Sequence, residues 1–233
     1  MLGEVRALND LLCVNEVFAS IQGEGSMAGT PAVFIRLQGC PVRCPWCDTK
    51  YTWKIPQTAD AATSPLESVF EHENAPRWAA VPVDALCDEV KRRFPNMPLV
   101  ILTGGEPCAQ PVGPLCIGLL MSGYRVAIET SGFCPISVPK DVFVTLSPKL
   151  TVPGGHVETE ALRRADEVKM VIGSAADLEA LEEILPEVSP DALISLQPLS
   201  LSREATELCI RTVTERGGRW RLSVQTHKYL AFR

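Results

Sequence analysis

Long apolar runs are missing from these 233 residues. A membrane-spanning helix needs about 20 consecutive apolar residues, so no span is expected. Basic excess is missing as well: 22 Lys and Arg stand against 28 Asp and Glu, a formal net charge of −6. Broad affinity for DNA or RNA needs a basic face, so nucleic acid is not an expected partner. The first residues lack the charged start and apolar core of a secretory signal. The expected compartment is therefore the reducing cytoplasm, where nine cysteines are no disulfide framework. Histidine is scarce, and His72, His156 and His227 stand singly. No second C-x2-C pair backs the one that is present. A closed zinc site commonly draws four ligands from two such pairs or a Cys/His mixture, and neither set is evident.

What is present is concentrated in Gly39-Cys40-Pro41-Val42-Arg43-Cys44-Pro45-Trp46-Cys47-Asp48-Thr49. Cys40, Cys44 and Cys47 have the spacing C-x3-C-x2-C, which lets three thiolates converge from one loop on one metal centre. A 4Fe–4S cluster so held keeps one iron free of protein ligands. That iron points to chemistry at the cluster beyond electron storage. Three other readings remain open at this point. They are zinc completed by a distant histidine, a redox Cys44–Cys47 pair, and small buried side chains. The prolines and Trp46 argue for a shaped loop over a core strand. Cys13, Cys87, Cys116, Cys134 and Cys209 read as packing residues on apolar segments; Cys108 is left open because it follows a motif.

The rest of the chain repeats a pattern of short apolar run, polar motif and helix. Val14 to Ile21 reads as extended and leads into the turn Gly23-Glu24-Gly25. Ala32 to Leu37 reads as a buried strand, interrupted by Arg36. A charge there needs a partner, either an internal carboxylate or a ligand carboxylate gripped by the guanidinium fork. Further strands are expected at 98–102, 125–128, 142–146, 168–172, 193–196 and 220–224, about seven in all. Helices are expected at 83–94, 112–122, 174–185 and 203–216, with Ser174 as an N-cap and Gly123 and Gly217 just past helix ends. Residues 51–80 lack periodicity and read as an irregular excursion, with a short helix near Leu66 to Glu71. Continuous apolar strands separated by helices imply a parallel sheet covered on both faces. Polar motifs follow the strands: Thr103-Gly104-Gly105-Glu106-Pro107, Glu129-Thr130-Ser131-Gly132, Ser147-Pro148-Lys149, Gln197-Pro198 and Gln225-Thr226-His227. Ligand sites in parallel α/β folds lie at the carboxyl ends of strands, so these segments are expected to share one rim beside the cysteine loop.

The triplet with an aromatic before its last cysteine resembles the radical S-adenosylmethionine (SAM) superfamily. Gln22-Gly23-Glu24-Gly25, Cys47-Asp48-Thr49 and Gln225-Thr226-His227-Lys228-Tyr229-Leu230 narrow the likeness to the 7-carboxy-7-deazaguanine synthase family of queuosine biosynthesis, from about Val14 to the C-terminus. The resemblance implies one domain over 1–233, a partial (incomplete) parallel β/α barrel of the radical SAM type. It implies a 4Fe–4S cluster on Cys40, Cys44 and Cys47, and SAM chelating the open iron. One-electron cleavage of SAM would give a 5′-deoxyadenosyl radical. The implied reaction is ring contraction of 6-carboxy-5,6,7,8-tetrahydropterin with loss of ammonia, SAM being regenerated. Implied SAM contacts are Trp46, Cys47, Asp48, Gly105, Ser147, Pro148, Lys149 and Gln197. Implied substrate contacts are Ile21, Gln22, Gly23, Glu24, Arg36, Thr103 and His227, with Thr49 a Mg2+ ligand. The family keeps its terminal carboxylate near the substrate, which nominates Arg233; a terminal arginine departs from the family pattern. Implied partners are a flavodoxin- or ferredoxin-type electron donor and a second copy of the chain. A glycyl-radical activase would share the triplet without QGEG or QTHKYL; a zinc-binding module would have no use for the strand-end motifs.

Overall fold

The computed structural model describes residues 11–54, 65–71, 78–199 and 202–231. Nine strands lie among them. The chain divides into two compact units, each built from separate stretches of sequence. No described helix is long and apolar enough to cross a membrane.

The first unit contains Pro31–Ile128, Ser137–Val142 and the chain up to Ser20. Its strands are β1 (Leu11–Ile21), β2 (Pro31–Leu37), β3 (Ala79–Pro82), β4 (Leu99–Gly104) and most of β5 (Arg125–Thr130), in the order β3-β1-β2-β4-β5. β2, β4 and β5 run parallel, with Ala32 opposite Leu99 and Arg36 opposite Thr103. Ala32, Val33, Ile35 and Leu37 are fully buried, as are all four residues from Leu99 to Leu102. Burial of successive residues, whose side chains point to opposite faces, is the mark of a parallel sheet covered on both sides. Helix α1 (Val83–Arg93) buries Val83, Leu86 and Val90, and α2 (Gly113–Met121) buries Leu115, Cys116 and Leu119.

The second unit contains Ile21–Thr30, Glu129–Ile136 and Phe143–Arg233. Strands β6 (Phe143–Leu146), β7 (Glu167–Ile172), β8 (Leu193–Pro198) and β9 (Trp220–Leu222) are parallel neighbours in that order. Helices α3 (Thr159–Arg164), α4 (Ala175–Ile184) and α5 (Arg203–Arg216) alternate with them, and α6 (Thr226–Leu230) follows β9. Val168, Met170, Ile172, Ile194, Leu196, Leu181 and Cys209 share one core. Ser174 caps α4 in a reciprocal capping box with Asp177.

Most expected elements form within a residue or two of their expected bounds. Among the described residues the strands number nine, against about seven expected. β3 went unread because Ala79-Ala80-Val81-Pro82 is too short to show a period; it pairs antiparallel with β1. Gln225-Thr226-His227, read as a bare strand-end motif, opens α6 instead. The expected helix near Leu66 is a 3-10 segment, Leu66–Phe70. Other parts of the excursion, 55–64 and 72–77, lie outside the described residues, as does Arg233. Cys116 and Cys209 are fully buried packing residues; Cys13, Cys87, Cys108 and Cys134 are half-buried.

Candidate active site

In the first unit β2 ends at Leu37 and the cysteine loop begins. The backbone amides of Gly39 and Cys40 donate to the carbonyls of Thr52 and Trp53, so the loop is closed on itself. The β4 end is joined to its start: Gly105 N–H donates to the Leu37 carbonyl and Glu106 N–H to that of Gly39. A side chain at Gly105 would run into the Gly39 carbonyl, and one at Gly104 into the Leu37 backbone. These glycines are therefore required by backbone packing against the cysteine loop, whatever else they approach.

Amides of the loop are aimed at its sulfurs. The N–H groups of Arg43 and Val42 donate to the Cys40 thiol, with Arg43 in the left-handed region at φ 52°. Burial pushes the Cys40 thiol up, and these two donors pull it down. Thr49 N–H lies 3.4 Å from Cys47 Sγ, and the Thr49 hydroxyl lies 3.5 Å from the same sulfur. Cys44 is buried, and its carbonyl accepts the Cys47 amide at 3.0 Å. Among the described residues no three His, Cys, Asp or Glu side chains are drawn together as a site for one ion. A 4Fe–4S cluster instead takes thiolates held apart, each on its own iron. Three thiols carried on one loop, one buried and two half-buried, fit that group.

Arg36 lies in register with Thr103 on the neighbouring strand. Its Nε donates to Glu16 Oε1 at 2.7 Å, and the Tyr51 hydroxyl donates to the same oxygen at 3.1 Å. The internal carboxylate is thus real. Among the described residues the two terminal nitrogens of Arg36 make no hydrogen bond, so the fork also remains available to a second carboxylate.

The second unit gathers a polar network around the QGEG turn. Gln22 Nε2 donates to Glu129 Oε1 at 2.8 Å, and Gln22 Oε1 accepts the Glu24 amide at 3.1 Å. Glu24 accepts Lys169 Nζ at 2.5 Å on one oxygen and Gln225 Nε2 at 2.8 Å on the other. Lys169 Nζ also lies 3.5 Å from Glu129. Gly25 N–H donates to the Ser223 hydroxyl, which donates in turn to Gln197 Oε1. The amide and hydroxyl of Thr226 both donate to the Gly23 carbonyl at 3.0 Å, and a side chain at Gly23 would lie 2.7 Å from His227 Nδ1. QGEG and QTHKYL, some 200 residues apart in sequence, are one structural feature.

Burial alone would push the Glu24 carboxyl up. The Lys169 ammonium, hydrogen bonds from Lys169 and Gln225, and His227 overcome it and hold the group well below the usual carboxylate range. Burial disfavours the Lys169 cation, while Glu129, Glu24 and Glu167 raise it. The Glu24 contribution to stability is full above its unfolded value of about 4.3. It is lost as pH falls from there toward its depressed folded value. Thermal unfolding should therefore show a melting temperature that drops on acidification below about pH 4.5. Glu24→Gln should flatten that drop.

The structure brings Gln22, Gly23, Glu24, Gln197 and His227 into one network. Ser147, Pro148 and Lys149 follow β6, and Lys149 Nζ donates to the Ser147 carbonyl at 2.7 Å. Ile21 is 45% exposed at the end of β1. Trp46 is half-buried and Asp48 exposed on the cysteine loop. Sequence reasoning placed Glu129 and Gln225 in strand-end motifs but missed Glu16, Glu167, Lys169 and Ser223 as members of these networks. The signal was available for two of them: Glu167 and Lys169 interrupt an apolar strand just as Arg36 does.

An open, largely parallel α/β sheet with a three-thiol loop following a strand is the architecture of a radical SAM enzyme. No family model matches the chain. The 7-carboxy-7-deazaguanine synthase of Escherichia coli K12 is 43% identical over 220 residues, 93% of this chain and 97% of that one. The synthase of Synechocystis is 35% identical over 230 residues, 97% and 98% of the two chains. The crystal structure of QueE from Escherichia coli matches with a TM-score of 0.85 at 38% identity, covering 95% of this chain and 98% of that one. The chain belongs to the 7-carboxy-7-deazaguanine synthase family, radical SAM enzymes of queuosine biosynthesis, and membership implies a 4Fe–4S cluster and SAM.

Proposed function

We propose that this chain is a lyase converting 6-carboxy-5,6,7,8-tetrahydropterin into 7-carboxy-7-deazaguanine with loss of ammonia. One observation carries the reading: the QGEG turn is bonded directly to the QTH segment, through Thr226 and Gly23. Those two motifs are the ones that separate this family from other users of the cysteine triplet. When bound, the cluster and SAM supply hydrogen-atom abstraction from an unactivated carbon.

The chain's own residues bind, orient and exclude water. Cys40, Cys44 and Cys47 are the cluster ligands. Trp46, Asp48, Gly105, Ser147, Pro148, Lys149 and Gln197 are assigned to SAM. Arg36 holds the substrate carboxylate with its terminal nitrogens. Thr103, His227, Ile21 and the Gln22–Glu24 turn read the pterin edge. Since the Gln22 amide and the Glu24 carboxylate already have partners, the turn's shape is set before substrate arrives. Thr49 is assigned to Mg2+, a hard ion that takes few protein oxygens and fills its octahedron with water and substrate. Arg233 is assigned to the substrate by the same resemblance. The enzyme is proposed to work in the cytoplasm as a homodimer, taking electrons from a flavodoxin- or ferredoxin-type donor.

The test is anaerobic turnover of reconstituted, reduced protein with SAM, Mg2+ and the tetrahydropterin. Product without matching SAM consumption is expected. Accumulation of 5′-deoxyadenosine without deazapurine would keep the class and reject the substrate.

A further inference from the structure

Strand β7 reads Glu167-Val168-Lys169-Met170-Val171-Ile172. Its two charged residues are alternate, so they project from one face. Glu167 is 1% exposed and Lys169 is 4% exposed. Buried charges in an apolar strand are costly unless held, and both of these are held by the same turn.

Glu167 grips the turn's backbone. It accepts the Ser26 amide at 3.0 and 3.2 Å and the Ser26 hydroxyl at 2.9 Å. Behind it, the hydroxyls of Ser195 and Thr145 donate at 2.5 and 3.3 Å, which fixes the carboxylate from the opposite side. A side chain at Gly25, at φ +64°, would lie 2.9 Å from this carboxylate. Only glycine lets the backbone close on Glu167 this tightly. Lys169, two residues on, grips side chains instead. Its ammonium stands between Glu24 and Glu129, at 2.5 and 3.5 Å. Gln22 closes the ring by bonding Glu129 and the Glu24 amide.

We propose that Glu167 and Lys169 are the positioning residues of the substrate-reading turn: Glu167 clamps its backbone at Gly25–Ser26, and Lys169 sets the spacing and charge of Glu24 and Glu129. This rests on the reading above that the turn faces the pterin. The charged and titratable groups that bear on the Glu24–Lys169 pair are His227 on α6, which acts on Glu24, and Glu129 on β5 and Glu167 on β7, which act on Lys169. Without the ammonium, Glu24 and Glu129 would face each other as like charges, and one of them would take up a proton near neutral pH.

The variants are Lys169→Met, Glu167→Gln and the double variant Lys169→Met with Glu24→Gln. The double variant removes the like-charge pair, so it folds even where Lys169→Met does not. Binding and exchange are measured on the reconstituted, unreduced holoenzyme, and KM and kcat on the reduced enzyme. Iron content and SAM affinity should match the native protein. Amide exchange over residues 21–28 should rise about tenfold in Glu167→Gln, with the rest of the chain unchanged. The pterin Kd should rise roughly tenfold to a hundredfold in Lys169→Met, KM rising more than kcat falls. Its pH dependence should gain an inflection roughly between pH 5 and 8 that the native protein and the double variant lack. Native exchange and native pterin affinity in all three variants would overturn the proposal. If exchange rises in Glu167→Gln but the native holoenzyme binds no pterin, the clamp stands and the substrate reading falls.

Discussion

Cys44→Ala is expected to give a folded protein that retains almost no iron and turns over at least about a thousandfold more slowly than the native enzyme. Two thiolates cannot hold a cluster that three share. The fold should survive, because Cys44 belongs to the loop beyond β2 and not to the sheet. Cys116→Ala is the control. Cys116 is fully buried in α2, and burial pushes its thiol up to about 12. It is a packing residue held as the neutral thiol, so its loss should cost about 1 kcal/mol of stability and no iron. Iron per chain, the visible absorption of the reconstituted protein and circular dichroism separate the two. A Cys44→Ala protein with native iron and native rate would refute the ligand assignment.

The fold was legible where burial is strongest. β4 opens on the unbroken apolar run Leu99 to Leu102, and β2 is apolar but for Arg36; both read as strands covered on both faces. Ser174, Gly123 and Gly217 marked helix ends because capping and positive φ act through single residues. Legibility failed where an element owes its existence to a partner. β3 is four residues long and is a strand because β1 pairs with it. α6 forms where Thr226 bonds back to Gly23.

The site divides the same way. Cys40, Cys44 and Cys47 were legible because metal chemistry fixes both residue type and spacing. The network around Glu24 was half legible. Its motif residues, Gln225 among them, stood out, but Lys169 comes from 145 positions away, and nothing in sequence pairs it with Glu24. One rule applied evenly would have found more. Arg36 was questioned because a charge interrupts an apolar strand, and Glu167 and Lys169 interrupt β7 in the same manner. The glycines of Thr103-Gly104-Gly105 carried a different lesson. Their need for small size was readable, but the neighbour that demands it is the Gly39 carbonyl and the Leu37 backbone.

Arg36→Ala is expected to raise the Kd for the tetrahydropterin on the order of a hundredfold, since hydrogen bonds to a charged group contribute about 1.5–3 kcal/mol. Iron content and SAM affinity should stay native. The difficulty is that Arg36 has a second task. Its Nε holds Glu16, whose side chain is 6% exposed. Removing the guanidinium takes away the cation that lies 2.7 Å from that carboxylate. Truncating one partner of a buried pair costs about 2–5 kcal/mol, so Arg36→Ala should also melt at lower temperature. Glu16→Gln separates the two effects. It removes the internal charge, keeps the shape, and leaves the terminal nitrogens of Arg36 in place. Its pterin Kd should stay within a few-fold of native while its melting temperature falls. If instead both variants lose stability and neither changes the Kd, Arg36 serves only to neutralise Glu16, and the substrate carboxylate is bound elsewhere.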